Sequence, residues 1–66
     1  MKKLKYSRES KGLSQSQLAK ASGVNVRMIQ NYEQGIRDIN KAEALTVYKL
    51  AKSLDVEMSE LLELDQ

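Results

Sequence analysis

Sixty-six residues predict one domain, which at this size buries only about 60% of the surface its unfolded chain exposes. With no Cys and no His there is no disulfide framework and no thiolate or mixed zinc site, and the commonest general base and the strongest nucleophile are missing, so no enzyme, metal or cofactor is expected. The formal net charge of +2 is unevenly spread: residues 1–37 carry eight Lys and Arg against Glu9 and Glu33, whereas residues 38–66 carry Lys41, Lys49 and Lys52 against seven acids. A polyanion is thereby drawn to one end of the domain and repelled from the other.

Residues 2–11 predict a first helix, with long side chains, no Gly or Pro, and Leu4 one turn before Arg8. Leu4 and part of Tyr6 anchor it, and Arg8 points inward or along the seam. Gly12 ends the helix and Leu13 enters the core. Ser14 with Gln17 three residues on has the form of a capping box, which opens a second helix over 15–22. Ala19 is small enough for a close helix crossing, and Gly23 can adopt the left-handed conformation that ends a helix. Asn25 can accept from the N–H groups that open a third helix over 26–34. Small residue, glycine, apolar Val24, cap, then a helix with a polar outer face is the pattern of a helix-turn-helix. In the third helix the 3.6-residue period puts Ile29 and Tyr32 inside and Arg27, Gln30, Asn31 and Gln34 outward or sideways.

A fourth helix is expected over 41–53, with Asn40 and Glu43 as a capping pair. Ala44, Val47, Tyr48, Ala51 and Leu54 mark its buried stripe, with Leu50 beside it and Leu45 off it. Asp55 and Val56 break the run, and a short fifth helix over 59–63 follows. Met58, Leu61, Leu62 and Leu64 are more apolar than one short terminal helix needs. They are expected either to make a dimer contact or, for Leu61 and Leu62, to close the core. The longest apolar run falls short of the roughly 20 residues that cross a bilayer, and the basic start is not followed by a signal-type apolar segment, which predicts a cytoplasmic protein with no membrane partner.

Residues 4–62 resemble the lambda-repressor and Cro-like helix-turn-helix family, also called the XRE family. The matching residues are Arg8, Gly12-Leu13-Ser14-Gln15, Leu18-Ala19, Gly23-Val24, Ile29, Glu33-x-Gly35 and Leu50-Ala51-x-x-Leu54-x-Val56. The resemblance implies a compact all-α domain of five helices, with the third lying in the DNA major groove. It implies a structural ion pair between Arg8 and Glu33, and a dimer contact from the end of the fourth helix and the fifth. Two positions depart from it: Ser22 stands where the family usually has an apolar residue, and Asp38-Ile39-Asn40 stands where it often has Pro.

By the same resemblance Val26, Arg27, Gln30 and Asn31 are the base readers. Their chemistry fits: Arg27 can offer two donors to guanine O6 and N7, Gln30 or Asn31 can donate to and accept from adenine, and Val26 can meet a thymine methyl. Gln15 and Ser16 open the second helix, whose first N–H groups can take a phosphate, and in this family Gln15 also braces a side chain of the third helix. Gly35-Ile36-Arg37 is expected to bring backbone N–H groups and a cation to the DNA backbone, Gly35 also reading as a plain C-cap of the third helix, with Lys11 adding diffuse attraction. The expected function is sequence-specific double-stranded DNA binding as a small bacterial or phage-like transcriptional regulator, as a homodimer on an inverted repeat. The alternative is a protein-interaction module, such as an antitoxin or co-regulator, on the same fold. The polar, Arg-bearing outer face favours DNA, since a protein-binding face is more often apolar or aromatic. RNA binding lacks an exposed aromatic platform beyond Tyr6, and no small-molecule ligand is expected.

Overall fold

The computed structural model describes residues 3–63, among which there are four α-helices, two 3₁₀ turns and no strand. The first helix, α1 (Lys3–Ser10), turns Leu4 and Arg8 inward. It closes at Gly12, whose φ of 73° lets Gly12 N–H reach Glu9 O and Leu13 N–H reach Arg8 O. The expected capping box then opens α2 (Gln15–Ser22): Ser14 Oγ accepts from Gln17 N at 3.0 Å, and Gln17 Oε1 accepts from Ser14 N at 2.8 Å. Gly23 ends α2 in the left-handed region with its N–H donated to Ala19 O. Ser22, polar where the family is apolar, uses its hydroxyl to accept from Val24 N at 3.1 Å, which fixes the turn between the helices. Asn25 Oδ1 accepts from Arg27 N at 2.7 Å and so opens α3 (Val26–Gln34).

Beyond α3 the expectations need correcting. A single 3₁₀ turn, Ile39–Lys41, follows α3, and α4 begins only at Ala44 and runs Ala44–Leu54. Asp38, not Asn40, is the capping residue here, its Oδ1 accepting from Asn40 N at 2.9 Å. The cause is Ile39, which must reach the core and is buried there; the tight turn brings it down, and the extended backbone at Ala42 then separates the turn from α4. The buried stripe of α4 is Val47, Leu50, Ala51 and Leu54, while Ala44 and Tyr48, expected inside, are exposed. Centring the stripe on Leu50 seals a purely apolar side chain and leaves the Tyr48 hydroxyl in water, where it needs no buried partner.

The expected fifth helix is instead a three-residue 3₁₀ turn, Met58–Glu60. Leu61 drops fully into the core directly after it. The backbone that would have continued a helix is engaged elsewhere: Glu63 N–H donates to Asn40 Oδ1 at 2.8 Å, and Asn40 Nδ2 donates to Glu63 O at 2.7 Å. The expected helical start at Lys2 and the expected dimer residue Leu64 lie outside the described residues.

The core is continuous: Leu18, Ile29, Leu50, Leu54 and Leu61 are fully buried, with Leu4, Val24, Tyr32, Ile39, Val47 and Ala51 around them. Each fully buried Leu or Ile stabilises the fold by about 1.5–3 kcal/mol relative to exposure. Helix α2 is central, packing on α3 along one side and on α4 along another, while α1 supports α3. Among the described residues no helix is long and apolar enough to cross a membrane.

Candidate nucleic-acid interface

Helix α3 has a buried face and an open one, as its period requires. Ile29, Tyr32 and Glu33 are buried. Arg27 and Gln34 are exposed, and Val26, Met28, Gln30 and Asn31 are half-buried. Of the four expected base readers, Arg27 is therefore the most accessible; it stands in the first turn of α3, the part of a recognition helix that reaches base edges. Val26, Gln30 and Asn31 keep part of their surface open on the same side.

A buried charge network holds this helix. Arg8 Nε donates to Glu33 Oε2 at 2.7 Å and Arg8 Nη2 to Glu33 Oε1 at 3.1 Å, a two-bond fork with both side chains almost fully enclosed. Arg8 Nη1 donates to Leu13 O at 2.6 Å, and Gln15 Nε2 donates to Glu33 Oε1 at 2.9 Å. The ion pair implied by resemblance is thus formed, and Gln15 braces the α3 carboxylate as that resemblance implies. The bond to Leu13 O was not foreseen and ties the α1–α2 loop to the same guanidinium. Among the described residues no buried side-chain N or O lacks a partner. Donating hydrogen bonds to the Glu33 carboxylate raises the Arg8 guanidinium above its ordinary value; desolvation opposes this, and the charges of Glu33 and Glu9 add to the rise.

The expected backbone contacts divide. Ser16, Lys11 and Arg37 are exposed, whereas Gln15 is half-buried with its amide nitrogen committed to Glu33. The N–H groups of residues 35–37 do not face outward as expected. Gly35, at φ 80°, donates to Asn31 O and Tyr32 O, Ile36 N–H to Asn31 O at 2.9 Å, and Arg37 N–H to Asn31 O at 3.1 Å. The last carbonyls of a helix lack intrahelical partners, and the left-handed glycine folds these amides back onto them. The exposed cation of Arg37 is what this turn leaves open to solvent.

For Ile36 the sequence carries an expectation for the backbone N–H alone and none for the side chain. Ile36 occupies the position after a left-handed residue that Leu13 and Val56 occupy after α1 and α4, and those two pack against the core. Ile36 stays 68% exposed beside Arg37. Its residue type alone carried no signal that would separate it from the other two.

At the far end of the chain Leu61 is wholly buried, and Met58 and Leu62 are half-buried against the same core. Among the described residues no group of three or more His, Cys, Asp or Glu is placed to hold a metal ion.

A family model described as helix-turn-helix matches residues 4–61, which takes in α1 from its second residue, α2, α3, α4 and both 3₁₀ turns. Comparison with curated proteins finds no match, and comparison with solved structures finds none.

Proposed function

Because the chain belongs to the Cro/C1-type helix-turn-helix family, a family of DNA-binding transcription regulators, we propose that it binds double-stranded DNA sequence-specifically by laying α3 in the major groove. The observation that carries this is the contrast between the two sides of α3. Arg27 is open at the first turn, while Glu33 on the inner side is gripped by Arg8 and Gln15 from two other segments. A reader on a helix held in this way meets base edges with its geometry already set, which is what discrimination between bases requires.

In this reading Arg27 takes guanine, Asn31 and Gln30 take adenine, and Val26 meets a thymine methyl. Ser16, Lys11 and Arg37 contact the phosphate backbone on either side of the groove. The protein works in the cytoplasm as a two-fold pair on an inverted repeat, its half-site centres about 34 Å apart. The pairing is assigned to Met58 and Leu62, since Leu61 is enclosed in its own core.

Fluorescence anisotropy with labelled duplexes at a series of salt concentrations tests this. Binding should weaken linearly in log–log form as salt rises, with a slope of about −0.9 for each phosphate neutralised, and a preferred duplex should retain its advantage over a scrambled one at every salt. Equal affinity for both duplexes at all salts would remove the reader role of α3.

A further inference from the structure

The outer face of α4 is a surface that neither the core nor the reading helix uses. The helix carries two stripes of identical spacing, i, i+3, i+4, i+7. Val47, Leu50, Ala51 and Leu54 form the buried one, and Leu45, Tyr48, Lys49 and Lys52 form the other. The 3.6-residue period makes each stripe a single face and sets the two on opposite sides of the helix. Leu45 is 60% exposed and Tyr48 is 49% exposed, so the N-terminal half of the outer face is apolar and its C-terminal half, Lys49 and Lys52, is basic. Lys52 Nζ stands 5.9 Å from the centroid of the Tyr48 ring, which places a cation over the aromatic face.

The charges on this helix are one-sided. Although residues 38–66 carry more acids than bases, α4 itself contains no Asp or Glu, and its only charged residues, Lys49 and Lys52, both continue the face that Leu45 and Tyr48 begin. An apolar pair bordered by two cations complements a segment that presents apolar side chains between carboxylates. We propose that this face docks an acidic amphipathic helix of another protein, with apolar anchors on Leu45 and Tyr48 and carboxylates against Lys49 and Lys52. A second copy of the chain fits poorly, because two such faces would bring four lysines together with no carboxylate on α4 to meet them. Helix α2 packs on both α3 and α4, and the outer stripe of α4 faces away from the shared core. In this proposal a partner held there leaves the open side of α3 free, so that the partner and a duplex are carried together. The docking surface stands independently of whether α3 reads DNA.

The test is an amide chemical-shift titration of the full, isotopically labelled chain with a synthetic helical peptide of Leu, Phe and Glu. A control peptide of the same charge has Ser in place of Leu and Phe. The expected result is saturable shifts confined to α4 around Leu45, Tyr48, Lys49 and Lys52, at least tenfold tighter for the Leu- and Phe-bearing peptide, and retained when a duplex is added. Leu45→Ser with Lys49→Glu should weaken the peptide at least tenfold, and Tyr48→Ala alone several-fold. Unchanged melting temperatures would show that these exposed substitutions leave the fold intact. The proposal is overturned by any of four results: equal shifts with the Ser control, shifts centred on α3, α4 shifts produced by raising protein concentration alone, or displacement of the peptide by duplex. An absence of saturable shifts would overturn it equally.

Discussion

Arg8 and Glu33, 25 positions apart in the chain, meet as a two-bond fork of 2.7 and 3.1 Å inside the domain, and through it α1 fixes the last turn of α3. Desolvation offsets much of the attraction in such a pair, so its presence adds little net stability, but leaving one partner alone is costly. Glu33→Ala should therefore destabilise by about 3–5 kcal/mol, since it strands Arg8 and leaves the Gln15 amide without its acceptor. Glu57→Ala, at an exposed position that opens the second 3₁₀ turn, should cost no more than about 1 kcal/mol. Denaturant melts of the two variants check this, and equal small losses would remove the pair from its anchoring role.

The raised Arg8 value fixes where that contribution depends on pH. A cation whose value is higher in the folded state adds stability that is fully present below its unfolded value and is lost only as pH rises through the folded one. For arginine that window is strongly alkaline. The destabilisation caused by Arg8→Met should accordingly show no change attributable to Arg8 titration between about pH 7 and pH 10. Urea melts at several pH values measure it, and a loss that vanishes by the upper end of that range would contradict the assignment.

Asn40 and Glu63 exchange two hydrogen bonds that latch the end of the described chain onto the loop after α3. Asn40→Ala should cost about 1–2 kcal/mol, each exposed bond being worth about 1 kcal/mol or less. Its sharper signature is local: amide hydrogen exchange at Glu63 should speed up by tenfold or more, while Leu18 and Ile29 amides change far less. Uniform acceleration across the domain would mean that the latch is part of the global core.

Gly12 and Asp55 hold equivalent left-handed positions, at φ 73° and 58°, after α1 and α4. A Cβ at Gly12 meets no atom within 4 Å, so Gly12→Ala should cost only the conformational penalty, about 1–2 kcal/mol. Asp55→Gly releases a comparable strain, against an unfolded-state cost of about 0.4–1 kcal/mol. It also removes an acid from the negative end of α4. A net gain of about 0.5–1 kcal/mol in thermal melts is expected. Asp55→Asn, which keeps the strain and removes the charge, should gain less.

Arg27 and Arg37 should differ in kind when lost. Arg27→Ala should relax preference at one base pair by about 1–3 kcal/mol, whereas Arg37→Ala should weaken all duplexes alike and reduce the salt slope by about one. Competition binding against a set of single-base variants separates the two outcomes, and an Arg27→Ala protein with unaltered preference would reassign the reader.

The first three helices were legible because their boundaries are written in neighbouring residues: Gly12, the Ser14 and Gln17 box, Gly23, Asn25 and Gly35 each act within a few positions. The rest depended on partners far away. Asn40 has the local look of a helix cap, but its side chain is committed to Glu63, 23 residues on. Periodicity placed an apolar stripe on α4 without fixing its phase, so Tyr48 was read as inside when Leu50 takes the centre. The two departures from the family pattern turned out to be local devices, a hydroxyl cap at Ser22 and a 3₁₀ turn that sinks Ile39. Behind α3, resemblance identified the buried Arg8 and Glu33 pair. It did not show that the amides of residues 35–37 fold back onto α3, because that follows from the left-handed turn at Gly35.

The most direct measurement is selection of bound duplexes from a random DNA pool at physiological salt, followed by sequencing of what is retained. A sequence-specific dimeric regulator predicts strong enrichment of an inverted repeat whose half-sites lie about one helical turn, roughly ten base pairs, apart. A single enriched half-site would keep the reading role of α3 and remove the pairing. A pool that emerges unenriched, with only weak salt-sensitive retention, would contradict sequence-specific recognition by this helix.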